Sequence, residues 1–124
     1  VSNYAYKTMK RLLPGPYTFI LEGTKLVPKI MLTKRSTAGI RVPDNQICLA
    51  LVKELGHPII TTSAQLPGGE VFYDPTEIDR KVGYALDDVI DGGTLVSEPS
   101  SVIDLTEDQP RVLREGKGDV SFFI

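Results

Sequence analysis

The stretch that decides the fold class is NYAYKTMKRLLPGPYTFIL, residues 3–21, in which a helix pattern runs into a strand pattern. Residues 3–12 predict a helix that ends before the Pro-Gly-Pro sequence at 14–16. Residues 17–21, YTFIL, carry aromatic and β-branched side chains and predict a strand. One short turn therefore joins a helix to a strand, as in sheets that carry packed helices.

A second helix is predicted at residues 46–55, which place four apolar residues in one stripe at i, i+3, i+4 and i+7. Asp44 or Asn45 can cap its start, and Gly56 can end it. The stripe consists of Cys48, Leu51, Val52 and Leu55.

A third helix begins with a capping pattern. Asp74 is the cap, Pro75 takes the first helical position and Glu77 the third. This helix is predicted to run to about Val82 and to stop at Gly83.

The remaining elements favour a sheet. Residues 27–32 are interpreted as a short helix or an irregular turn. Further strands are predicted at residues 38–42, 58–61, 89–90, 101–105 and 111–114. Strands alternate with helices early in the chain and dominate late, which indicates an α/β or mixed α+β fold with helices flanking a sheet. Residues 1–124 are expected to form a single domain.

Composition excludes several classes of site. The chain has 124 residues, 41% apolar content and a net charge of −2, so as a whole it gives no electrostatic case for nucleic-acid binding. One cysteine and one histidine cannot form an internal disulfide or a Cys/His zinc site. No apolar run is long enough to span a bilayer, and the sequence predicts a reducing, cytoplasmic location without a membrane partner.

Hydroxyl side chains and two arginines lie at or beside the ends of four predicted strands. If these ends meet at one edge of the sheet, they form a polar bowl with two fixed cations. Such a bowl suits phosphate and carboxylate oxygens, which commonly bind beyond strand ends. The residues concerned are Thr37, Arg41, Thr61, Thr62, Ser63, Ser100, Ser101 and Arg114.

A simpler interpretation fits any one of these positions. Serine and threonine are frequent at strand ends because they satisfy the turn backbone. Arg41 could pair with Asp44, and Arg114 with Glu115 or Asp119. Only the joint pattern favours an anion site.

The chain resembles the YrdC/YciO family in six ordered blocks, namely PGPYTFIL, TAGIRVP, HPIITTSAQLPGG, DDVIDGG, EPSSVIDLT and VLREGKGD. The resemblance is closest to the YciO branch. It implies a twisted mixed sheet flanked by helices around a concave, positively charged cavity, with this chain as the C-terminal portion of the domain.

The resemblance also implies a reaction. Synthase members of the family are nucleotidyltransferases that condense L-threonine, bicarbonate and ATP into threonylcarbamoyl-AMP with release of pyrophosphate. The product serves formation of threonylcarbamoyladenosine at position 37 of transfer RNA. Mg²⁺ would accompany ATP as its counter-ion, and no tightly bound cofactor is expected.

Site residues follow from the matching motifs. Gln65 stands where synthases usually carry asparagine, which fits the YciO branch. The resemblance implies no general base, nucleophile or metal ligand. It implies ATP contacts for Thr37, Ser63, Val71 and Arg114, and threonine contacts for Arg41, Thr61 and Ser100.

Two expectations limit this assignment. The family's basic K-x-R segment lies upstream of the part that the chain resembles, so we expect synthase activity to need the full-length domain. The alternative function is a non-catalytic module that binds double-stranded RNA or transfer RNA. It would use a lysine-rich cluster between residues 25 and 35. Self-association into a homo-oligomer is a further expectation.

Overall fold

The computed structural model describes residues 2–23, 36–66, 68–95 and 98–124. These residues form two compact units. Unit 1 comprises Val1–Leu49 and Glu98–Ile124, and unit 2 comprises Ala50–Ser97. The predicted helix or turn at 27–32 lies outside the described residues.

Three α-helices lie in the described part of the chain, and each has the bounds that the sequence predicts. They are α1 (Asn3–Leu12), α2 (Gln46–Leu55) and α3 (Pro75–Val82). Their ends are fixed locally.

The predicted caps of α2 and α3 are present. The Asn45 side chain accepts a hydrogen bond from the backbone N–H of Cys48 at 3.0 Å. Gly56 follows α2 with a φ of +77°, a left-handed conformation that favours glycine. The Asp74 side chain caps α3 by accepting from the N–H of Thr76 at 2.9 Å. Gly83 does not stop the chain's helical course, because it keeps right-handed helical angles and opens a 3₁₀ turn.

Four strands in unit 1 form a mixed sheet. They are β1 (Tyr17–Glu22), β2 (Thr37–Ile40), β3 (Ser101–Asp104) and β4 (Arg111–Arg114). Their order in the sheet is β2-β1-β3-β4. The central pair, β1 and β3, is parallel, and both outer pairs are antiparallel. The predicted mixed α+β fold class is therefore confirmed.

One face of the sheet carries the core, and α1 packs on it. Phe19 and Ile103 are register partners on β1 and β3, and both are fully buried. Ala5 of α1 joins them, and Met9 and Leu12 of the same helix pack against the cluster. Alternation along β1 places every second residue in this core. The other buried members are Tyr17, Leu21, Leu105 and Val120.

The opposite face of the sheet, called here the open face, is less buried. Thr18 and Ile20 alternate with the core residues of β1 and are only half-buried. Gly39 of β2 is the partner of Ile20. Val102 of β3 is the partner of Thr18. By the same alternation Asp104, the partner of Ile20, and Glu22 also lie on this face, so Thr18 is one of several polar side chains there.

Two predicted strands are wrong. Residues 58–61 and 89–90 pair with no strand in the described part of the chain. Every residue from 57 to 65 is exposed, so the apolar pattern at Ile59 and Ile60 has no core to enter. Ile90 is likewise exposed. An apolar run forms a strand only where a neighbouring strand supplies the ladder of hydrogen bonds.

The predicted apolar stripe of α2 lies on a helix without buried residues. Within the described ranges, no helix combines the length and the apolar character that crossing a membrane requires.

Candidate functional site

Four strand ends meet at one end of the sheet, called here the polar end. The first residues of β1 and β3, Tyr17 and Ser101, are partners there. Strand β2 arrives at this end with Ile40, the partner of Phe19, so Arg41 is the next residue beyond it. Strand β4 arrives with Arg114, the partner of Val102. Arg41, Ser100 and Arg114 therefore lie at the same end of the sheet.

Arg114 is tied to Ser100 by two hydrogen bonds. Its Nε donates to the Ser100 carbonyl oxygen at 2.9 Å, and its Nη2 donates to the Ser100 hydroxyl at 3.3 Å. The predicted alternative partners, Glu115 and Asp119, form no ion pair with Arg114 among the residues described. The remaining N–H groups of Arg114 have no acceptor in the described part of the chain, and the side chain is exposed. They can bind an anion.

Thr18 completes this group, although the sequence did not single it out. Its hydroxyl lies 2.6 Å from the Ser100 hydroxyl, and either oxygen could be the donor. Thr18 is on the open face. It is the second residue of β1, which is one of the two central strands of the sheet. A signal was present, because Thr18 is the polar residue between two aromatic ones in YTF. Its partner across the strands could not be read from sequence.

Arg41 is exposed just beyond β2. Within the described ranges it makes no hydrogen bond or ion pair, so the predicted alternative pairing with Asp44 is not formed. A second cation is thus available at the polar end.

Thr37 lies at the opposite end of the sheet. It starts β2 and is the partner of Glu22, the last residue of β1. Three strand positions separate it from Ile40, a distance of roughly 10 Å. Thr37 is buried, with 7% exposure. The predicted meeting of all strand-end hydroxyls at one edge therefore does not include Thr37.

The other predicted residues lie in unit 2. Thr61 and Ser63 are exposed, and neither hydroxyl has a hydrogen-bond partner among the described residues. Val71 forms a bridge with Gln65 in a short hairpin. The hairpin is held by a hydrogen bond from the N–H of Phe72 to the Ala64 carbonyl at 2.9 Å. It fixes Val71 beside Gln65.

The loop after β4 is hydrogen-bonded to buried residues at the polar end. The Ser101 hydroxyl donates to the carbonyl of Gly118 at 2.6 Å and accepts from the N–H of Gly116 at 2.9 Å. The Tyr17 hydroxyl donates to the Asp119 carbonyl at 2.9 Å. These bonds anchor the loop that directly follows Arg114.

Burial raises the pKa of the Tyr17 hydroxyl above its ordinary value of 10.0, and the Asp119 carboxylate adds to the increase. The pKa of the Asp119 carboxyl is lowered, because it accepts a hydrogen bond from the N–H of Ser121. Asp119 is therefore the charged member of this pair at neutral pH, and the Tyr17 hydroxyl stays protonated.

Two acidic cavities are present in the described part of the chain. The larger, about 370 Å³, lies in unit 2, and the smaller, about 140 Å³, lies in unit 1. Their carboxylates would repel an anionic ligand, and no predicted site residue lines either of them. Within the described ranges no group of three or more His, Cys, Asp or Glu could hold a metal ion. The acidic residues are Asp79, Asp87, Asp88 and Asp91 in the larger cavity and Glu22, Glu107 and Asp108 in the smaller.

Comparison with known proteins agrees with this architecture. The Sua5/YciO/YrdC family, described as "Telomere recombination", matches residues 1–116. The uncharacterised protein YciO of Escherichia coli (strain K12) is 50% identical over 126 residues, which cover 100% of this chain and 61% of that protein. The crystal structure of E. coli YciO matches with a TM-score of 0.91.

A synthase relative also matches. The threonylcarbamoyl-AMP synthase of Pyrococcus abyssi is 33% identical over 108 residues, covering 86% of this chain and 32% of that protein. The crystal structure of P. abyssi Sua5 complexed with L-threonine matches with a TM-score of 0.84 and 31% identity, over 94% of this chain and 34% of the other. The chain spans about 61% of the length of the YciO relatives that it matches.

Proposed function

Because the chain belongs to the Sua5/YciO/YrdC family, we propose that it binds L-threonine and ATP and serves the synthesis of threonylcarbamoyl-AMP. The observation that carries this proposal is the match to P. abyssi Sua5 in complex with L-threonine, which covers 94% of this chain at 31% identity.

The polar end supplies chemistry that suits both substrates. L-Threonine brings a carboxylate, and ATP brings phosphates. Arg114 presents N–H donors beyond those that hold Ser100, and Arg41 is an exposed cation. A guanidinium binds either anion through parallel, charge-assisted hydrogen bonds, which are stronger than neutral ones.

The residue roles implied by the family are part of the proposal. These side chains would bind and orient the substrates and neutralise charge. Bicarbonate would enter as a co-substrate, and Mg²⁺ would accompany ATP as its counter-ion. We assign Arg41, Thr61 and Ser100 to threonine, and Thr37, Ser63, Val71 and Arg114 to ATP.

Binding and synthesis are separate parts of this proposal. YciO is longer than this chain, so turnover belongs to the whole protein. Binding can be tested on the chain itself. Synthesis would appear as pyrophosphate release that depends on L-threonine and bicarbonate together.

The test is calorimetric titration of the chain with L-threonine and with ATP. D-Threonine is the matched control, because it has the same charges with opposite chirality. We expect saturable binding of L-threonine and a much weaker response to D-threonine. If the chain binds neither L-threonine nor ATP, the proposal fails.

A further inference from the structure

The Thr18 and Ser100 hydroxyls at the polar end together carry one O–H proton more than the hydrogen bond between them can hold. Thr18 and Ser100 each carry one O–H proton, and only one of these can occupy the 2.6 Å contact between their oxygens. The other proton must be donated elsewhere. Which residue keeps it depends on burial and on the neighbouring donors.

Burial assigns the contact proton to Ser100. Ser100 is only 5% exposed, and its oxygen already accepts from Arg114 Nη2. If Thr18 donated to Ser100, the Ser100 proton would be buried without an acceptor among the described residues, which is costly. If Ser100 donates to Thr18, its buried proton has an acceptor. The spare proton then belongs to the half-buried Thr18.

Strand β2 fixes the orientation of Thr18. A β-carbon at Gly39 would lie 3.1 Å from the Thr18 methyl carbon, so only a glycine there leaves that methyl group ordinary space. Threonine is stiff at χ1, and placing its methyl towards β2 sets the direction of its hydroxyl. The hydroxyl is therefore held towards Ser100.

We propose that Thr18 is a ligand-binding residue whose hydroxyl, together with the free N–H groups of Arg114, binds an anionic oxygen of the substrate at the open face. This inference rests on the proposed function and deepens it. Ser100 then acts as the residue that positions both donors. The anion is a carboxylate or a phosphate, since the same donors suit either.

The experiment titrates the chain and three variants with two pairs of ligands, in which one member has the anionic group and the other lacks it. The pairs are L-threonine with L-threoninamide, and ATP with adenosine. Thr18→Val removes the hydroxyl at constant shape, and Thr18→Ser keeps it. Thr18→Ala removes it with the smallest demand on packing, in case the valine variant does not fold.

We expect Thr18→Val to lower the affinity for one ligand that has the anionic group about tenfold or more. This loss corresponds to one hydrogen bond to a charged group. The matching ligand that lacks the anionic group should bind as it does to the wild type, and Thr18→Ser should restore binding of the ligand that has it. The pair in which the affinity falls shows whether Thr18 binds the carboxylate of L-threonine or a phosphate of ATP. A general packing defect would weaken both members of a pair.

Two results overturn the inference. If Thr18→Val or Thr18→Ala binds L-threonine and ATP as tightly as the wild type, the inference fails and the proposed function stands. If the wild type binds neither ligand, both fail.

Discussion

Arg114 uses one edge of its guanidinium to hold the carbonyl and the hydroxyl of Ser100, and lysine cannot reproduce that fork. We predict that Arg114→Lys weakens binding of the anionic substrate about tenfold and lowers the free energy of unfolding by about 1 kcal/mol, because the side chain is exposed. Calorimetry and urea denaturation measure the two effects.

The matched control is Arg111→Lys, which makes the same change at the other end of β4. Arg111 is exposed and makes no hydrogen bond from its side chain to the described residues. If both variants lose binding equally, the loss reflects a general effect of replacing arginine by lysine and not the fork at Ser100.

Gly118 lies where no side chain fits. A β-carbon there would lie 2.6 Å from a ring carbon of Tyr17 and 2.9 Å from the Pro16 carbonyl oxygen. We predict that Gly118→Ala lowers the free energy of unfolding by about 1–3 kcal/mol through overpacking. Gly68→Ala is the control, since no atom lies within 4 Å of a β-carbon at that position. Equal stability of the two variants in urea would contradict the prediction.

Tyr17 gives stability an alkaline limit. Its folded pKa is raised above the ordinary value of 10.0, so the folded state holds the hydroxyl proton more tightly than the unfolded state does. This contribution is fully present below pH 10.0 and is lost as the pH rises through the folded pKa.

Tyr17→Phe should therefore flatten the decline in stability above pH 10.0, while costing about 1 kcal/mol at neutral pH through the lost hydrogen bond to Asp119. Urea denaturation across the alkaline range measures both effects. Tyr84→Phe is the control for removal of a tyrosine hydroxyl, because Tyr84 is 91% exposed. If stability declines above pH 10.0 as steeply in Tyr17→Phe as in the wild type, Tyr17 is not the cause of that decline.

Residue types at the polar end were predictable, and their partners were not. Arg41, Ser100 and Arg114 were predicted from sequence and lie at one end of the sheet. Thr37 was grouped with them, although β2 runs antiparallel to β1 and carries it to the far end. Thr18 was missed. Contacts of this kind depend on strand order and register, which a single sequence does not encode locally.

At the scale of elements, helices were predicted better than strands. The bounds of α1, α2 and α3 follow from caps and breakers within the segment itself. Strand β4 was also predicted at its bounds, whereas residues 58–61 and 89–90 are not strands. Strand formation depends on a partner elsewhere in the chain, so an apolar run alone does not decide it.

The cap of α3 can be tested directly. Asp74→Ala removes the acceptor for the Thr76 N–H and should destabilise the helix by about 0.5–2 kcal/mol. Asp74→Asn retains an acceptor oxygen and is the control. Circular dichroism during urea denaturation measures the helix signal. A loss that is equal for both variants would show that charge, and not the cap, is responsible.

At the scale of the whole molecule, burial is uneven. All buried residues among those described lie in unit 1, around β1 and β3. Unit 2 has none in the described ranges, although it carries Thr61, Ser63 and Val71. Segments with little buried surface open locally at low free energy. The predicted ATP contacts Ser63 and Val71 therefore lie in the less protected unit.

Hydrogen exchange tests this difference within one molecule. Amides of Phe19 and Ile103 are in the central pair of strands and should exchange slowest, near the rate set by global unfolding. Amides of α3 should exchange orders of magnitude faster, because the helix has no buried residue to hold it closed. The capped helix α1, which packs on the core, is the matched comparison and should resemble the sheet. Equal protection of α1 and α3 would mean that unit 2 is stabilised by contacts other than burial.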